Sequence, residues 1–160
     1  MRTHFITDRT EIDAILKQCK TCYVAMSVDD VPYVLPMNFA MYGEQVILHS
    51  AQQGRMWETI SKNPKVCINW TLGEKIAYQD IQVGCSYRVQ SKSVMVEGTA
   101  EIVNDFDEKV RIMEQFMTQY SDLPFKFSAP SIRNVGIILV NIDKLSAKEF
   151  GAKAVMPWNT

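Results

Sequence analysis

A short polar segment, residues 49–55 (HSAQQGR), separates an apolar run at 46–48 from a helical pattern of apolar residues. The apolar run predicts a buried strand, so the segment marks a strand-to-helix junction. The first N–H groups of a helix lack backbone partners and bind anions. Ser50 offers a hydroxyl, Gly54 permits close approach of the backbone, and Arg55 offers a guanidinium that pairs well with phosphate oxygens. The junction therefore predicts phosphate binding. The alternative is that Ser50 caps the helix, Gly54 fits a turn and Arg55 is solvated.

His49 begins this junction and is one of two histidines, the other being His4. Strand alternation puts its side chain on the face opposite Leu48 and Ser50. Histidine in a strand is commonly a structural residue that bonds a backbone carbonyl. Near the reactive end of a phosphate-bearing ligand, it would instead be placed to deliver a proton.

Four cysteines are present, and two of them form a CxxC pair, Cys19 and Cys22. A zinc site needs two further ligands, which no second pair supplies, so no metal site is predicted. The pair ends a helical pattern, whereas a redox dithiol is typical of a strand-to-helix turn. Reduced structural thiols are therefore expected, with a redox role as the alternative.

The composition is that of a single globular domain, residues 1–160, with 47% hydrophobic residues and a net charge of -1. This charge argues against a sequence-tolerant nucleic-acid binder. No apolar run approaches the ~20 residues of a membrane span. Charges interrupt the N-terminal segment where a signal peptide needs apolar residues, so a cytoplasmic location is expected.

Hydrophobic patterns predict six strands and three helices. The strands are expected at 21–28, 32–42, 46–50, 65–72, 87–103 and 135–150. The helices are expected from residue 8, at 54–62 and at 105–120, with loops at 73–86 and before residue 135. The absence of regular strand–helix alternation favours a mainly antiparallel barrel with peripheral helices.

Four segments in order carry a resemblance to a known family: YVLPMNFAM (33–41), ILHSAQQGRM (47–56), NPKVCINW (63–70) and SKSVMVEGTAEIV (91–103). Together they resemble the pyridoxamine 5'-phosphate oxidase-like superfamily, and within it the flavin-nucleotide-binding, nitroimidazole-reductase branch. The resemblance extends over roughly residues 5 to 150. It implies a six-stranded, antiparallel Greek-key split β-barrel that forms a homodimer, with the flavin at the subunit interface.

The resemblance also implies which residues bind the flavin. The junction would hold the phosphate, the second strand would lie along the isoalloxazine edge, and the later long strand would contribute two further residues. By position these are Pro36, Met37, Asn38, Phe39, His49, Ser50, Ala51, Gly54, Arg55, Lys92 and Ser93. His49 also matches the active-site histidine of the nitroimidazole branch, which makes it the expected catalytic residue.

Two positions depart from the family pattern. Many relatives carry Arg-Lys where this chain has Arg55-Met56, so one phosphate-binding cation is missing. FMN binding would then be weaker, or Lys92 would compensate, or the cofactor would be FAD. The ending GAKAVMPWNT offers only Lys153 in place of the basic C-terminus of vitamin B6 oxidases, which argues against pyridoxamine phosphate oxidation.

The leading hypothesis is a flavin-dependent oxidoreductase that reduces a small planar acceptor, such as a nitroimidazole or another nitroaromatic, with NAD(P)H or another reductant. The first alternative is a non-catalytic flavin-binding or flavin-sequestering protein. The second is a haem-binding relative with His49 or His4 as axial ligand. No nucleic-acid or membrane partner is expected. The apolar strand VGIILVNI is expected to complete its burial against a second copy of the chain.

Overall fold

A computed structural model describes residues 3–151 of the 160-residue chain. The strands are β1 (Thr3–Ile6), β2 (Cys22–Val28), β3 (Val31–Met37), β4 (Phe39–Tyr42), β5 (Gln45–Ala51), β6 (Lys65–Ala77), β7 (Arg88–Val103) and β8 (Val135–Phe150). The helices are α1 (Arg9–Gln18), α2 (Arg55–Lys62), α3 (Phe106–Met117) and α4 (Ala129–Asn134), and a 3₁₀ turn covers Gly84–Ser86. In the part of the chain that the structure describes, no helix has the length and apolar character needed to cross a bilayer.

The strands form one sheet in the order β3-β2-β6-β7-β8-β5-β4, and β1 pairs antiparallel with β8. The predicted class, mainly β and antiparallel with a few helices, is confirmed. Pro36 lies on β3, an edge strand, where a residue without an N–H is tolerated. The turn predicted at Asp29-Asp30 is present, and both residues have positive φ, as a two-residue hairpin turn requires.

The number of strands differs from the prediction, since the described chain has eight rather than six. One difference is β1, whose four residues are too few to show a pattern. The other is the predicted strand 32–42, which is interrupted at Asn38 and forms β3 and β4. The predicted loop before β8 contains α4, which the Ser128 side chain caps and in which Pro130 occupies the first turn. Loop 73–86 is also shorter than predicted, because β6 continues to Ala77.

The chain divides into two compact units. Unit 1 contains residues 3–19, 70–95 and 146–151 of the described chain, and unit 2 contains Lys20–Asn69 and Val96–Leu145. The long strands β6, β7 and β8 each contribute residues to both units. The number of domains stays a prediction.

Unit 2 has a core in which β4, β5 and β8 pack against α3 and α4. Its fully or nearly fully buried members include Ile47, Ile112, Phe116 and Ile137. The expectation that the strand VGIILVNI is exposed and needs a partner is wrong, because its residues 136–140 are buried within the chain. The strand pairs with β5 on one side and neighbours β7 on the other, so the chain itself covers it.

Unit 1 contains α1, whose N-terminus is capped by Asp8 through a bond from the Thr10 amide (3.0 Å). The helix buries Ile12, Ile15 and Leu16, which follow the predicted amphipathic spacing. Its opposite end carries Cys19, which is also buried.

Candidate functional site

Unit 2 has a cavity of about 370 Å³ where β5 ends and α2 begins. Three of the predicted cofactor-binding residues line it from the end of β3, namely Pro36, Met37 and Asn38. Four others line it from the junction, namely His49, Ser50, Gly54 and Arg55. The structure therefore brings seven of the eleven residues that the sequence singled out into one cavity.

The backbone at Gly54 explains how α2 begins. Gly54 is the N-cap residue, with φ 98° and ψ 176°, a conformation that is essentially restricted to glycine. A β-carbon built on Gly54 would meet no atom within 4 Å, so the backbone conformation, rather than crowding, requires the glycine. No side chain caps the helix, and the Ser50 hydroxyl donates instead to the Ala51 carbonyl (2.8 Å). The capping role considered for Ser50 is therefore wrong, and the helix presents its first N–H groups at the cavity.

Arg55 is the first residue of α2 and the only cationic side chain among the residues that line the cavity. Its guanidinium lies over the ring of Tyr33, with Cζ 4.2 Å from the ring centre. Within residues 3–151, no carboxylate forms an ion pair with Arg55. Its N–H groups therefore remain available to an anionic ligand.

The junction is held in place by contacts with the end of α4 and the start of β8. The Gln52 side chain donates to the carbonyls of Arg133 (2.6 Å) and Val135 (3.0 Å). The ring of Trp57, on α2, lies against Gly136, where any β-carbon would collide with it. These contacts fix the start of α2 relative to the end of β5, which pairs with the same part of β8.

His49 pairs with Ile137 of β8 and packs edge-on against Phe116 of α3, with ring centres 4.6 Å apart and planes at 75°. Its side chain thus lies on the face that carries Ile47, as predicted, and both His49 and Ser50 line the cavity. Burial lowers the pKa of His49, so the imidazole is neutral at pH 7. Its Nδ1 is buried and has no hydrogen-bond partner among the described residues.

Tyr120 fixes the interruption between β3 and β4, a role that no pattern in the sequence indicates. Its hydroxyl accepts from the Phe39 amide (2.9 Å) and donates to the Phe39 carbonyl (2.8 Å). The Asn38 side chain donates to the Lys20 carbonyl (3.2 Å), which also holds this interruption in place. Phe39 itself is fully buried, and Ala51 is exposed at the end of β5.

Lys92 and Ser93 lie on β7 in unit 1, and neither is among the residues that line the unit 2 cavity. The Lys92 ammonium forms an ion pair with Glu11 of α1 (Nζ–Oε1 2.6 Å). The hydrogen bond to Glu11 is the main cause that raises the pKa of Lys92, so this amine is charged at neutral pH. Lys153, the other lysine considered, lies outside the described residues.

The cysteines are all in the thiol form. Burial raises the pKa of the Cys19 thiol, which disfavours the thiolate that redox chemistry requires. The structural interpretation of the CxxC pair is therefore favoured. Among residues 3–151, no group of three or more histidine, cysteine and carboxylate side chains is arranged to hold a metal ion.

The fold and this cavity together define a class of protein. It is a mainly β, antiparallel chain whose strand-to-helix junction offers an anion one guanidinium and an uncapped helix N-terminus. The family described as pyridoxamine 5'-phosphate oxidase matches residues 8–149, and the chain belongs to that family. The family predicted from the resemblance is thereby confirmed. No protein of curated function matches the sequence.

Solved structures of three proteins are similar to this chain. A candidate 5-nitroimidazole antibiotic resistance protein from Bacteroides thetaiotaomicron is 34% identical, with 92% of this chain and 87% of that chain covered and a TM-score of 0.83. The flavocytochrome Anf3 from Azotobacter vinelandii is 21% identical, with coverage of 90% and 68% and a TM-score of 0.78. An FAD and haem binding protein from Mycobacterium smegmatis is 15% identical, with coverage of 90% and 72% and a TM-score of 0.76. The last two show the fold alone, and the sheet described above is consistent with the split-barrel fold predicted for this family.

Proposed function

We propose that the protein binds a flavin nucleotide, FMN in the first instance, in the unit 2 cavity and reduces a small planar acceptor such as a nitroimidazole. The observation that carries this proposal is the junction itself. Arg55 has no carboxylate partner in the described chain, and it stands beside the uncapped N-terminus of α2. His49 lines the same cavity, and its buried Nδ1 has no hydrogen-bond partner among the described residues.

The phosphate end of a flavin fits the chemistry of the junction. Backbone N–H groups at the start of α2 and the guanidinium of Arg55 are all hydrogen-bond donors, and the helix dipole adds partial positive charge. Gly54 leaves open space where another residue would carry a β-carbon. The chain therefore offers a phosphate several donors and, among the residues lining the cavity, no carboxylate that would repel it.

The ring end of a flavin fits the wall formed by the last residues of β3. Pro36, Met37 and Asn38 give this wall a mostly apolar surface with one amide. A cavity of about 370 Å³ is within the range of roughly 300–1,000 Å³ typical of small-molecule sites. A bound flavin would supply hydride transfer between a reductant such as NAD(P)H and the acceptor.

His49 is the residue placed to handle protons. Its neutral imidazole can accept or donate one hydrogen bond at each nitrogen, and burial against Phe116 restricts its orientation. An acceptor that gains electrons also needs protons, which an imidazolium delivers once the pH approaches its pKa. The 34% identity to a candidate 5-nitroimidazole antibiotic resistance protein supports a nitroimidazole as the acceptor.

The assembly proposed with this function is a homodimer with the flavin at the interface, as the family resemblance implies. Apolar side chains on unit 2 support a partner, since Tyr23, Val31 and Val34 are each at least half exposed. Light scattering should give about twice the 18.3 kDa chain mass. A monomer that still holds flavin would contradict an interfacial site.

Visible absorption of the purified protein tests the proposal directly. We expect the spectrum of a bound flavin, either copurified or after incubation with FMN, bleaching on addition of NAD(P)H, and recovery of colour when a nitroimidazole is added. Chromatography of the released cofactor distinguishes FMN from FAD, which the missing cation at Met56 leaves as the alternative. Protein that stays colourless with both flavins would contradict the proposal.

Two other functions remain candidates. Bound flavin that NAD(P)H and other reductants fail to bleach would indicate a flavin carrier, consistent with a cavity that binds but does not react. A haem protein is favoured by the unpartnered imidazole nitrogen of His49, by the haem named for the similar Mycobacterium smegmatis structure and by the description of another as a flavocytochrome. An intense haem absorption band that is lost in His49→Ala would establish it.

A further inference from the structure

Tyr33 lines the unit 2 cavity from the edge strand β3, and the sequence analysis did not single it out. Its side chain lies on the same face of the sheet as Met26, its partner on β2, and is half-buried. The ring supports the guanidinium of Arg55, whose Cζ lies 4.2 Å from the ring centre. This distance is well inside the ~6 Å limit for a cation–π contact.

We propose that Tyr33 is a positioning residue for Arg55, and that through Arg55 it makes the cavity prefer phosphorylated over unphosphorylated flavin. The inference rests on the proposed flavin function and names which residue sets the preference. Arg55 is the first residue of α2 and lines the cavity, and a long, flexible side chain carries its guanidinium. An aromatic face holds it in place without using its N–H donors.

A carboxylate in contact with Arg55 would act differently from the ring of Tyr33. It would hold the guanidinium by its N–H groups and cancel its charge, and a phosphate would then have to displace it. In the described chain no carboxylate plays this part for Arg55. Restricting the arginine in advance also reduces the conformational entropy lost when a ligand binds. Tyr33 therefore holds the guanidinium of Arg55 ready to bind an anion. This role matters more because Met56, which follows Arg55, adds no second positive charge.

The test compares two ligands that differ only in the phosphate. Affinities for FMN and riboflavin are measured by flavin fluorescence for the wild type, Tyr33→Leu and Tyr33→Phe. We expect Tyr33→Leu to weaken FMN binding by about two- to fivefold, the scale of an exposed cation–π contact, and to leave riboflavin binding unchanged. Tyr33→Phe keeps the aromatic face and should bind FMN as the wild type does.

Tyr42→Leu is the matched control, because Tyr42 is also a partly exposed tyrosine on a unit 2 strand but does not line the cavity. It should change neither affinity. Equal losses for FMN and riboflavin in Tyr33→Leu would overturn the proposal, since they would mean that the ring contacts the flavin or merely shapes the wall. Unchanged FMN binding in Tyr33→Leu would overturn it as well.

A double-mutant cycle supplies a second readout that needs FMN alone. If Tyr33 acts through Arg55, then Tyr33→Leu should have no further effect in the Arg55→Ala background. The same loss in both backgrounds would overturn the proposal while leaving the flavin function intact. A wild-type protein that binds neither flavin would instead contradict the proposed function itself.

Discussion

Two cavities of this molecule each have one cation in their lining, and the two cations are held in opposite ways. In unit 2, Arg55 lies against the ring of Tyr33. In unit 1, Lys92 lies in a cavity of about 450 Å³ and forms an ion pair with Glu11 (2.6 Å), with Glu149 in the same lining. Arg55 is predicted from the junction to bind a phosphate, whereas the family resemblance implies that Lys92 contributes to the flavin site and could compensate for the cation missing at Met56.

The difference shows that the availability of a cation depends on its partner more than on its position in a motif. An aromatic ring leaves the charge and the donors of Arg55 exposed to a ligand, whereas a carboxylate satisfies Lys92 within the protein. The unit 2 cavity therefore suits an anion, and the unit 1 cavity, with two carboxylates around one ammonium, does not. Four measurements test this contrast between the two cavities.

The largest effect is expected for His49→Ala. If the unit 2 cavity is where reduction occurs, loss of the imidazole should lower nitroimidazole turnover by about 100-fold, the lower end for general acid–base catalysis. Flavin affinity should change little, since the phosphate donors are untouched. Steady-state rates at saturating reductant measure the effect.

His4→Ala is the matched control for this prediction, because His4 is the other histidine and lies exposed on β1 in unit 1. It should leave turnover unchanged. Equal turnover for His49→Ala and wild type would assign His49 a structural role against Phe116 and favour the flavin-carrier function.

Arg55→Ala should weaken FMN binding by about 2 kcal/mol, roughly thirtyfold, as expected for loss of a charge-assisted hydrogen bond. Arg55→Lys keeps the charge but loses the planar fork, so an intermediate affinity is expected. Fluorescence titration measures both. An unchanged dissociation constant for Arg55→Ala would place the phosphate away from the junction.

The sequence was sufficient for the local part of this site. Alternation in β5, the polar junction and the helical spacing after Gly54 are signals within about fifteen residues, and the structure has strand, junction and helix at these places. The interruption at Asn38 and the roles of Tyr33 and Tyr120 were not predictable. Each depends on a contact between distant residues, such as the bond between Phe39 and Tyr120, 81 positions apart.

A contact between residues distant in the sequence also explains why Lys92 forms an ion pair instead of lining the unit 2 cavity. Nothing near Lys92 in the sequence shows that its ammonium donates a hydrogen bond to Glu11, which is also 81 positions away. Short elements were missed for a different reason, because a four-residue strand such as β1 or a six-residue helix such as α4 shows no full period of its pattern.

Lys92→Ala should therefore change FMN affinity by less than about threefold, far less than Arg55→Ala, because Glu11 already satisfies the ammonium. The partners are partly exposed, so the loss of the ion pair should also cost less than about 1 kcal/mol in the free energy of unfolding. Titration and urea unfolding measure the two quantities. A tenfold or greater loss of FMN affinity would instead show that Lys92 contributes to the flavin site, as the family resemblance implies.

The smallest expected effect is on how the free energy of unfolding depends on pH. His49 in the unit 2 cavity and Lys92 in the unit 1 cavity contribute to this dependence in different pH ranges. Burial lowers the pKa of His49 in the folded protein, so the unfolded chain takes up a proton at a higher pH than the folded chain does. The contribution of His49 to stability is therefore complete above its ordinary pKa of about 6.5 and is lost as the pH falls below that value.

Lys92 has a raised pKa, and its contribution to stability is lost only as the pH rises above the ordinary lysine pKa. Its contribution therefore does not change between pH 7 and pH 5. Asp143 has a lowered pKa, caused mainly by the Thr99 hydrogen bond, and its contribution is lost only under more acidic conditions. Urea unfolding between pH 7 and pH 5 should thus show a decline in the wild-type free energy of unfolding that is reduced in His49→Gln and retained in Lys92→Ala. An identical decline in His49→Gln would mean that the imidazole is as well solvated in the cavity as in the unfolded chain.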